Sequence, residues 1–194
     1  MANKLSRRKV LSSFGLTGLG MLASQASVGG NQASPILKEP VLMQVFSSLS
    51  ALKDSQSLKV GNYVQTSGYY KAGDGGHGTY LVRNSISGQE PDQGSIIPLR
   101  GGLVAELMNV SSLNYKLFGA IGDQKNDDGQ QIKATHSYAN AKGLPVINPN
   151  GEYWFRETNA IEVKTNTEWG QSVFHFDEKF NSREPRFKIV SNRP

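Results

Sequence analysis

The most informative part of the chain lies between residues 118 and 153, where four short groups follow one another in order. They are Phe118-Gly119-Ala120-Ile121-Gly122-Asp123, Asp127-Asp128, Gly143-Leu144-Pro145-Val146 and Pro149-Asn150-Gly151-Glu152-Tyr153. Asp128 stands three residues before Gln131, the spacing of a helix capping box, and Gly143 after Lys142 has the form of a helix end. The spacing therefore predicts a helix over about 129–142. The residues expected on its buried face are Ile132, His136 and Ala139.

Short strand-like segments surround this helix. After it, residues 144–155 read as strand, turn and strand, and further strands are predicted at 161–164, 171–176 and 187–190. Before it, apolar residues at helical spacing predict an amphipathic helix over 40–53. From Leu58 the apolar period changes to two, which predicts a compact module of about four β-strands. These four strands are expected at 58–65, 78–83, 95–99 and 103–110.

With these groups, residues 114–180 resemble the opening of the pectate-lyase-like domain of the rhamnogalacturonase and epimerase type. That domain is a right-handed parallel β-helix, so the resemblance implies a mainly β fold in which the helix covers the open end of the solenoid. The preceding module, with Gly68-Tyr69-Tyr70 and Gly73-Asp74-Gly75-Gly76, is similar to the small β module before the β-helix of bacteriophage tailspikes. The chain departs from these patterns in Ala120-Ile121-Gly122, where a basic residue often precedes the Gly, and at His77, where Gly is common. Neither departure is expected to disturb the fold.

The predicted solenoid is short. Residues 144–194 number 51, which at roughly 20 to 45 residues per repeat makes about two coils, whereas independent stability needs about three. We therefore expect the solenoid to be truncated. The predicted divisions are 1–26, a signal peptide; 27–39, a linker; 40–112, the helix and β module; and 113–194, the N-terminal cap and first coils.

The basic charge of the chain belongs to its first segment. The net charge is +5, but residues 1–26 contain four basic residues and no acidic residue, so the remainder carries only +1. Arg7 and Arg8 before a short, weakly apolar run resemble a twin-arginine (Tat) export signal, with Val10 where Phe is usual. A basic amphipathic helix on a membrane is the alternative. The Tat resemblance implies passage through the Tat translocase to the periplasm or the cell exterior.

Composition excludes several classes of function. A nearly neutral remainder does not point to nucleic acid, and no apolar run approaches the roughly 18 to 20 residues of a membrane-spanning helix. Cysteine is absent, which excludes disulfides, thiol nucleophiles and cysteine-ligated metals. The three histidines lack ligand spacing, so no metal or other cofactor is predicted in this chain. The loop from Gly73 to Gly78 lacks the ending of a phosphate-binding loop and is expected to be a turn.

Two sets of side chains are candidates for function. Asp123, Asp127 and Asp128 could form an acid/base pair or a calcium site, but turn and helix-cap roles are the favoured interpretation. Trp154 and Trp169 could contact carbohydrate, although aromatic residues at strand spacing more often pack in the core. The catalytic residues stay unknown, because in the resembled family they lie in a groove built from several coils.

The predicted function follows from the resemblance. It implies an exported N-terminal portion of a protein that binds or degrades polysaccharide as a lyase or glycoside hydrolase, inactive by itself, with calcium expected only in a full-length lyase. Two alternatives stay open: a tailspike-type attachment module, which implies a homotrimer, and a non-catalytic carbohydrate-binding protein. The export signal argues against the attachment module, because virion proteins assemble in the cytoplasm.

Overall fold

A computed structural model describes residues 43–156, 160–177, 179 and 185–191 of the chain. The predicted signal peptide 1–26, with Arg7 and Arg8, and the predicted linker 27–39 lie outside the described residues. Among the described helices, none is long and apolar enough to cross a membrane. The predicted division between residues 112 and 113 stays a prediction, as does the truncation of the solenoid.

The first element is a strand and not the start of the predicted helix. β1 (Gln44–Phe46) pairs in parallel with β2 (Tyr63–Thr66), and helix α1 occupies only Leu49–Asp54. Ser48 is extended, and its hydroxyl accepts a 3.2 Å hydrogen bond from a backbone N–H in the first turn of α1. The prediction of a helix over 40–53 is therefore wrong for the residues of β1. The Ser48 cap sets the helix start, and the backbone before it finds its hydrogen-bond partners in the sheet.

The first described region is a five-stranded sheet with the strand order β1-β2-β3-β5-β4. Its further strands are β3 (Gly78–Asn84), β4 (Ile96–Pro98) and β5 (Leu103–Leu107). Every pair except β1 with β2 is antiparallel. The four predicted strands are confirmed, with shorter bounds for β2, β4 and β5, and β1 adds a strand that the sequence analysis did not predict. We call residues 44–107 the antiparallel module.

Alternate residues of the central strands point into the core of the antiparallel module. Val64, Tyr80, Val82 and Ala105 are fully buried, and Leu52 of α1 is buried on the same core. Burial of each large apolar side chain contributes roughly 1.5–3 kcal/mol, so this alternation stabilises the sheet. The same core continues into the next region of the chain. The residues that extend it first are Leu113, Tyr115, Leu117 and Phe118.

The strands after Gly122 pair in parallel. They are β6 (Asp123–Asp127), β7 (Val146–Ile147), β8 (Glu152–Phe155), β9 (Ile161–Val163), β10 (Thr167–Glu168), β11 (Val173–Phe176) and β12 (Phe187–Ile189). β10 pairs with β7, β11 with β8, β8 with β6, and β12 with β9. We call residues 113–191 the parallel coils.

The register of these pairs shows a repeating coil. Val146 lies beside Thr167 and Glu152 lies beside Val173, an offset of 21 residues in both sheets. The strands β7, β8 and β9 pair in the same order with β10, β11 and β12. Such pairing of successive strands is the pattern of stacked coils in a parallel β-helix. The predicted mainly β, parallel architecture is thus confirmed. The described strands form three short parallel sheets and do not close a solenoid.

Helix α2 (Gly129–Lys142) occupies the predicted residues. Ile132, His136 and Ala139 are buried on one face, as predicted, and the helix ends at Gly143 in the left-handed conformation with φ +68°. α2 lies against β9 and a short 3-10 helix at Tyr115–Phe118. Its role as the cover of a solenoid end stays a prediction.

The predicted capping box at Asp128 is wrong. The buried Asp128 carboxylate accepts hydrogen bonds from the backbone N–H groups of Ile121 at 2.6 Å and Gly122 at 3.0 Å, and makes no bond to the first turn of α2. The segment before the helix folds back over this carboxylate and offers the closer donors. Burial raises the pKa of Asp128, although these hydrogen bonds act in the opposite direction.

Candidate functional site

The outer face of the sheet formed by β6, β8 and β11 carries the candidate site. In β8 the buried Tyr153 and Phe155 alternate with Glu152 and Trp154, which point outward. The register then sets the neighbours of these outward residues on the two flanking strands. Asp123 and Val173 lie beside Glu152, and Asp127 and His175 lie beside Trp154. We call these six residues the Trp154 face.

Trp154 is held in place by His175 on the neighbouring strand. The two rings stack with centroids 6.2 Å apart and an interplanar angle of 24°. Nε2 of His175 lies 3.6 Å from a carboxylate oxygen of Glu152 and makes no hydrogen bond within the described part of the chain. The face therefore combines an aromatic ring with the exposed carboxylate of Glu152, which can accept hydrogen bonds.

The two outer carboxylates on this face serve the backbone, as the favoured interpretation of the sequence predicts. Asp123 accepts hydrogen bonds from the N–H groups of Asn126 and Lys125, each at 3.0 Å, and these bonds hold the pKa of Asp123 below its usual range. Asp127 accepts from Gly129 at 3.1 Å and from Arg156 at 3.3 Å. Among the described residues, no group of three or more acidic or histidine side chains is arranged to hold a metal ion.

Trp169 lies in a different environment from Trp154. Its indole Nε1–H donates a 2.7 Å hydrogen bond to the hydroxyl of Tyr115, and its ring contacts Phe174 and Phe187 at centroid distances of 6.1 and 5.5 Å. Both indoles are partly buried, but Trp169 packs against the core, whereas Trp154 is not among the residues that pack against it. The structure does not bring the two predicted carbohydrate-contacting residues onto one surface.

The Trp169 hydrogen bond begins a short polar chain through the core. The hydroxyl of Tyr115 accepts the indole N–H and forms a second hydrogen bond, 2.9 Å long, with Nε2 of the buried His136. The other ring nitrogen of His136, Nδ1, is buried and has no partner among the described residues. Burial lowers the pKa of His136 to about 4, so the ring is neutral at pH 7. These contacts are structural and hold the core in register.

The pairing of His175 with Trp154 was not predicted from the sequence. The signal was present, because the two residues are separated by 21 positions and each lies at an outward position of an alternating aromatic strand. A search for strands repeating at a fixed interval would have placed them side by side. Neither residue alone carries that information.

The chain is similar to several solved structures. No family model matches it, and no curated protein matches it. Over 77% of this chain and 21% of the other, it is similar at 16% identity and a TM-score of 0.50 to WceF of Pantoea stewartii. WceF is described as a glycan biofilm modifying enzyme with a bacteriophage tailspike-like parallel β-helix fold.

Two bacteriophage tailspikes show comparable similarity. Tailspike gp49 of Acinetobacter baumannii bacteriophage Fri1, a capsular polysaccharide depolymerase, matches with a TM-score of 0.49 and 19% identity over 65% of this chain and 22% of the other. Tailspike protein 2 of bacteriophage CBA120 matches with a TM-score of 0.46 and 15% identity over 77% of this chain and 26% of the other. The chain spans about a quarter or less of the length of these proteins. The similarity to WceF shows a tailspike-like parallel β-helix fold.

Proposed function

We propose that this chain is the exported N-terminal portion of a parallel β-helix protein that binds or degrades polysaccharide, and that the Trp154 face contacts the sugar chain. The pectate-lyase-like family, with lyase or glycoside hydrolase chemistry, is the most specific form of this proposal. In that form the catalytic coils lie outside this chain, and the chain by itself binds without catalysing. Export through the Tat translocase belongs to the same proposal.

The position of Trp154 is the observation that supports the proposal most directly. Its indole lies on the outer side of a parallel sheet, outside the hydrophobic core, and is oriented by the stacked ring of His175. Sugar rings present C–H faces that pack on aromatic surfaces, and their hydroxyls need donors and acceptors at the rim of the contact. The carboxylate of Glu152, whose side chain is 56% exposed, supplies an acceptor beside the indole. An oriented indole loses little conformational freedom on binding.

Fold similarity contributes less to the proposal than this surface. WceF is described as modifying a glycan, and this chain shares its fold, but one fold hosts many functions. The same similarity favours a second candidate, a tailspike-type attachment module that assembles as a trimer. A non-catalytic carbohydrate-binding protein is the third. The attachment module and the exported protein differ in whether residues 1–26 direct export.

Removal of the Trp154 ring tests the binding surface. Trp154→Ala is expected to abolish retardation of the protein in gels containing neutral polysaccharide, while its circular dichroism spectrum and melting temperature stay close to those of the wild type. Tyr63→Ala, which removes a ring that is 37% exposed on the antiparallel module, is the matched control and should migrate as the wild type does. Equal retardation of Trp154→Ala and the wild type would contradict the proposed surface.

The export signal is tested separately from binding. A reporter fused behind residues 1–35 should reach the periplasm, and the double change Arg7→Lys and Arg8→Lys should retain it in the cytoplasm. A reporter that stays in the cytoplasm with the natural arginines would favour the attachment module. Export that persists after the double change would remove the Tat assignment.

A further inference from the structure

A groove of about 540 Å³ lies between the antiparallel module and the beginning of the parallel coils. One wall is the loop 69–74, and the other is formed by Lys116, Ala120 and Ile121. The groove is separate in sequence and in lining residues from the Trp154 face. Two tyrosines and two lysines converge on it, a combination that the sequence analysis did not consider.

The loop wall is built around one carboxylate. Asp74 accepts hydrogen bonds from the backbone N–H groups of four residues at 2.8 to 3.1 Å. These donors are Tyr69, Tyr70, Lys71 and Gly76. Burial acts to raise the pKa of Asp74, but the four hydrogen bonds outweigh it and hold the pKa below its usual range. The Asp74 carboxylate therefore stays ionised at neutral pH and ties the backbone of the loop together.

The two walls are in direct contact, which fixes the width of the groove. A Cβ at Gly76 would lie 2.4 Å from the carbonyl oxygen of Lys116, and a Cβ at Gly119 would lie 2.6 Å from the ring of Tyr69. Only glycine permits this approach at both positions. The hydroxyl of Tyr70 also donates a 2.8 Å hydrogen bond to the Gly119 carbonyl across the groove. The site is thus formed before any ligand binds.

The tyrosines provide a surface for a ring. Tyr70 is 55% exposed although its hydroxyl is anchored, so part of its ring is open to solvent. Tyr69 lies beside it with ring centroids 4.7 Å apart and an angle of 60°. Burial raises the pKa of Tyr69 to about 12, so its hydroxyl adds no negative charge at neutral pH. A sugar ring can pack on the open part of Tyr70 as it would on an indole.

The lysines provide the charge. Lys71 and Lys116 line the groove, and neither forms a salt bridge with any described residue. The nearby carboxylates of Asp74 and Asp128 are already bound by backbone N–H groups. Two lysines and one carboxylate, that of Asp74, line the same groove as Tyr70, and this excess of positive charge beside a ring suits a sugar that carries a carboxylate.

We propose that the groove between Tyr70, Lys71 and Lys116 binds an acidic sugar unit, a uronate whose ring packs on Tyr70 and whose carboxylate meets the two lysines. The proposal rests on the proposed polysaccharide function and deepens it by naming the class of sugar. It adds a second contact point, which shares no residue with the Trp154 face. A polysaccharide that reaches both contacts would gain affinity through the linkage.

Titration calorimetry with a defined probe tests this site. The wild type is expected to bind a four-unit oligogalacturonate, and the affinity should fall as NaCl rises from 50 to 300 mM, on the order of several-fold. Lys116→Gln, Lys71→Gln and Tyr70→Ala should each weaken binding about tenfold, because each removes a charge-assisted or ring contact. Lys59→Gln, an exposed lysine of the module outside the groove, is the matched control and should bind as the wild type does. Tyr70→Phe keeps the ring and should lose less than Tyr70→Ala.

The outcomes separate this site from the proposed function. Loss of oligogalacturonate binding in the groove variants, with retention on neutral polysaccharide unchanged, supports the site. Unchanged oligogalacturonate affinity in these variants overturns it, even if Trp154→Ala still abolishes polysaccharide retention. Equal affinity of the wild type for a neutral oligosaccharide of the same length, or tighter binding of a short single-stranded DNA, also overturns it. If the wild type is neither retarded by polysaccharide nor able to bind either oligosaccharide, both proposals fail.

Discussion

The antiparallel module and the parallel coils differ in how completely they bury their aromatic side chains. In the module, Tyr80 on β3 is fully buried, with a hydrogen-bonded strand on each side and α1 packed on the same core. In the coils, Phe155 on β8 is also fully buried, but its register partner Phe176 on β11 is 42% exposed. β11 has a paired strand on one side only in the described part of the chain.

The difference in burial follows from the way in which each kind of sheet completes its core. An antiparallel strand finds its partner across a short turn, so a few dozen residues can surround their own apolar side chains. A parallel coil pairs with the coil before and the coil after it, so the core of each coil is completed by its neighbour. Among the described strands, the coil that contains β10, β11 and β12 has such a neighbour on one side only. Its aromatic side chains are correspondingly less protected.

Loss of the aromatic residue at the junction should have the largest effect. Phe118 is fully buried, its ring lies so close to Gly94 that a Cβ there would be 2.4 Å away, and it contacts Tyr138 of α2 at 5.8 Å. Phe118→Ala should lower the free energy of unfolding by about 3–5 kcal/mol, since a cavity would open between the two regions. Urea denaturation measures the loss.

Hydrogen exchange on the same variant tests whether the regions unfold together. Faster exchange is expected in both β3 and β8, because one core joins them. Faster exchange in only one of these strands would show that the regions are energetically independent. Ile86→Ala, at a side chain that is 61% exposed, is the control and should change neither strand.

A matched pair of substitutions measures the protection of the two coils. Phe155→Ala should cost about 3–5 kcal/mol, whereas Phe176→Ala should cost about 1 kcal/mol, because less area leaves water at Phe176. The rings are partners at 5.2 Å, so the pair compares one residue type at one register position in successive coils. Equal losses in urea denaturation would mean that Phe176 is covered in solution, by a second copy of the chain or by its own remaining residues.

The buried His136 should make the parallel coils sensitive to acid. Its pKa is about 4 when folded against 6.5 when unfolded, so the unfolded chain takes up the proton first. The stability is fully present above pH 6.5 and falls by about 3 kcal/mol as the pH drops from 6.5 to 4. The melting temperature of His136→Phe should decline less over this range than that of the wild type. Parallel declines in the two proteins would contradict the assignment of a neutral buried imidazole.

Substitutions of the two tryptophans should have the smallest effects on stability. Trp169→Phe removes the hydrogen bond to Tyr115 and should cost about 1 kcal/mol, whereas Trp154→Phe should leave stability within about 0.5 kcal/mol of the wild type. Thermal unfolding of both variants checks this. A larger loss at Trp154 would place its ring in the core and remove the main support for the sugar-contacting surface.

The helix and strand positions in the parallel coils were largely predictable. Gly143 ends α2 because glycine readily adopts the positive φ required there, and Ile132, His136 and Ala139 recur at the helical period. β6 was not predicted, because its residues are polar and exposed and carry no apolar alternation. β1 was assigned to a helix, because its apolar residues also fit a helical period and only pairing with β2 distinguishes the two.

The candidate sites were less predictable than the elements that carry them. Trp154 was selected by residue type, but Trp169 was selected with equal weight, and only packing separates an indole that donates to Tyr115 from one that stands outside the core. The groove at Tyr70 was missed because its walls are about 45 residues apart in the chain and meet only where glycines allow close backbone contact.

Local sequence was sufficient for what depends on neighbouring residues: the helix 129–142, the alternating strands and the charge confined to residues 1–26. Features that depend on residues far apart in the chain were decided by long-range contacts. The carboxylate of Asp128 turned to Ile121 and Gly122 instead of its own helix, because the fold brought closer donors to it. Periodicity and caps are encoded within a few residues, whereas hydrogen-bond competition, burial and the meeting of two walls arise only once the whole chain has packed.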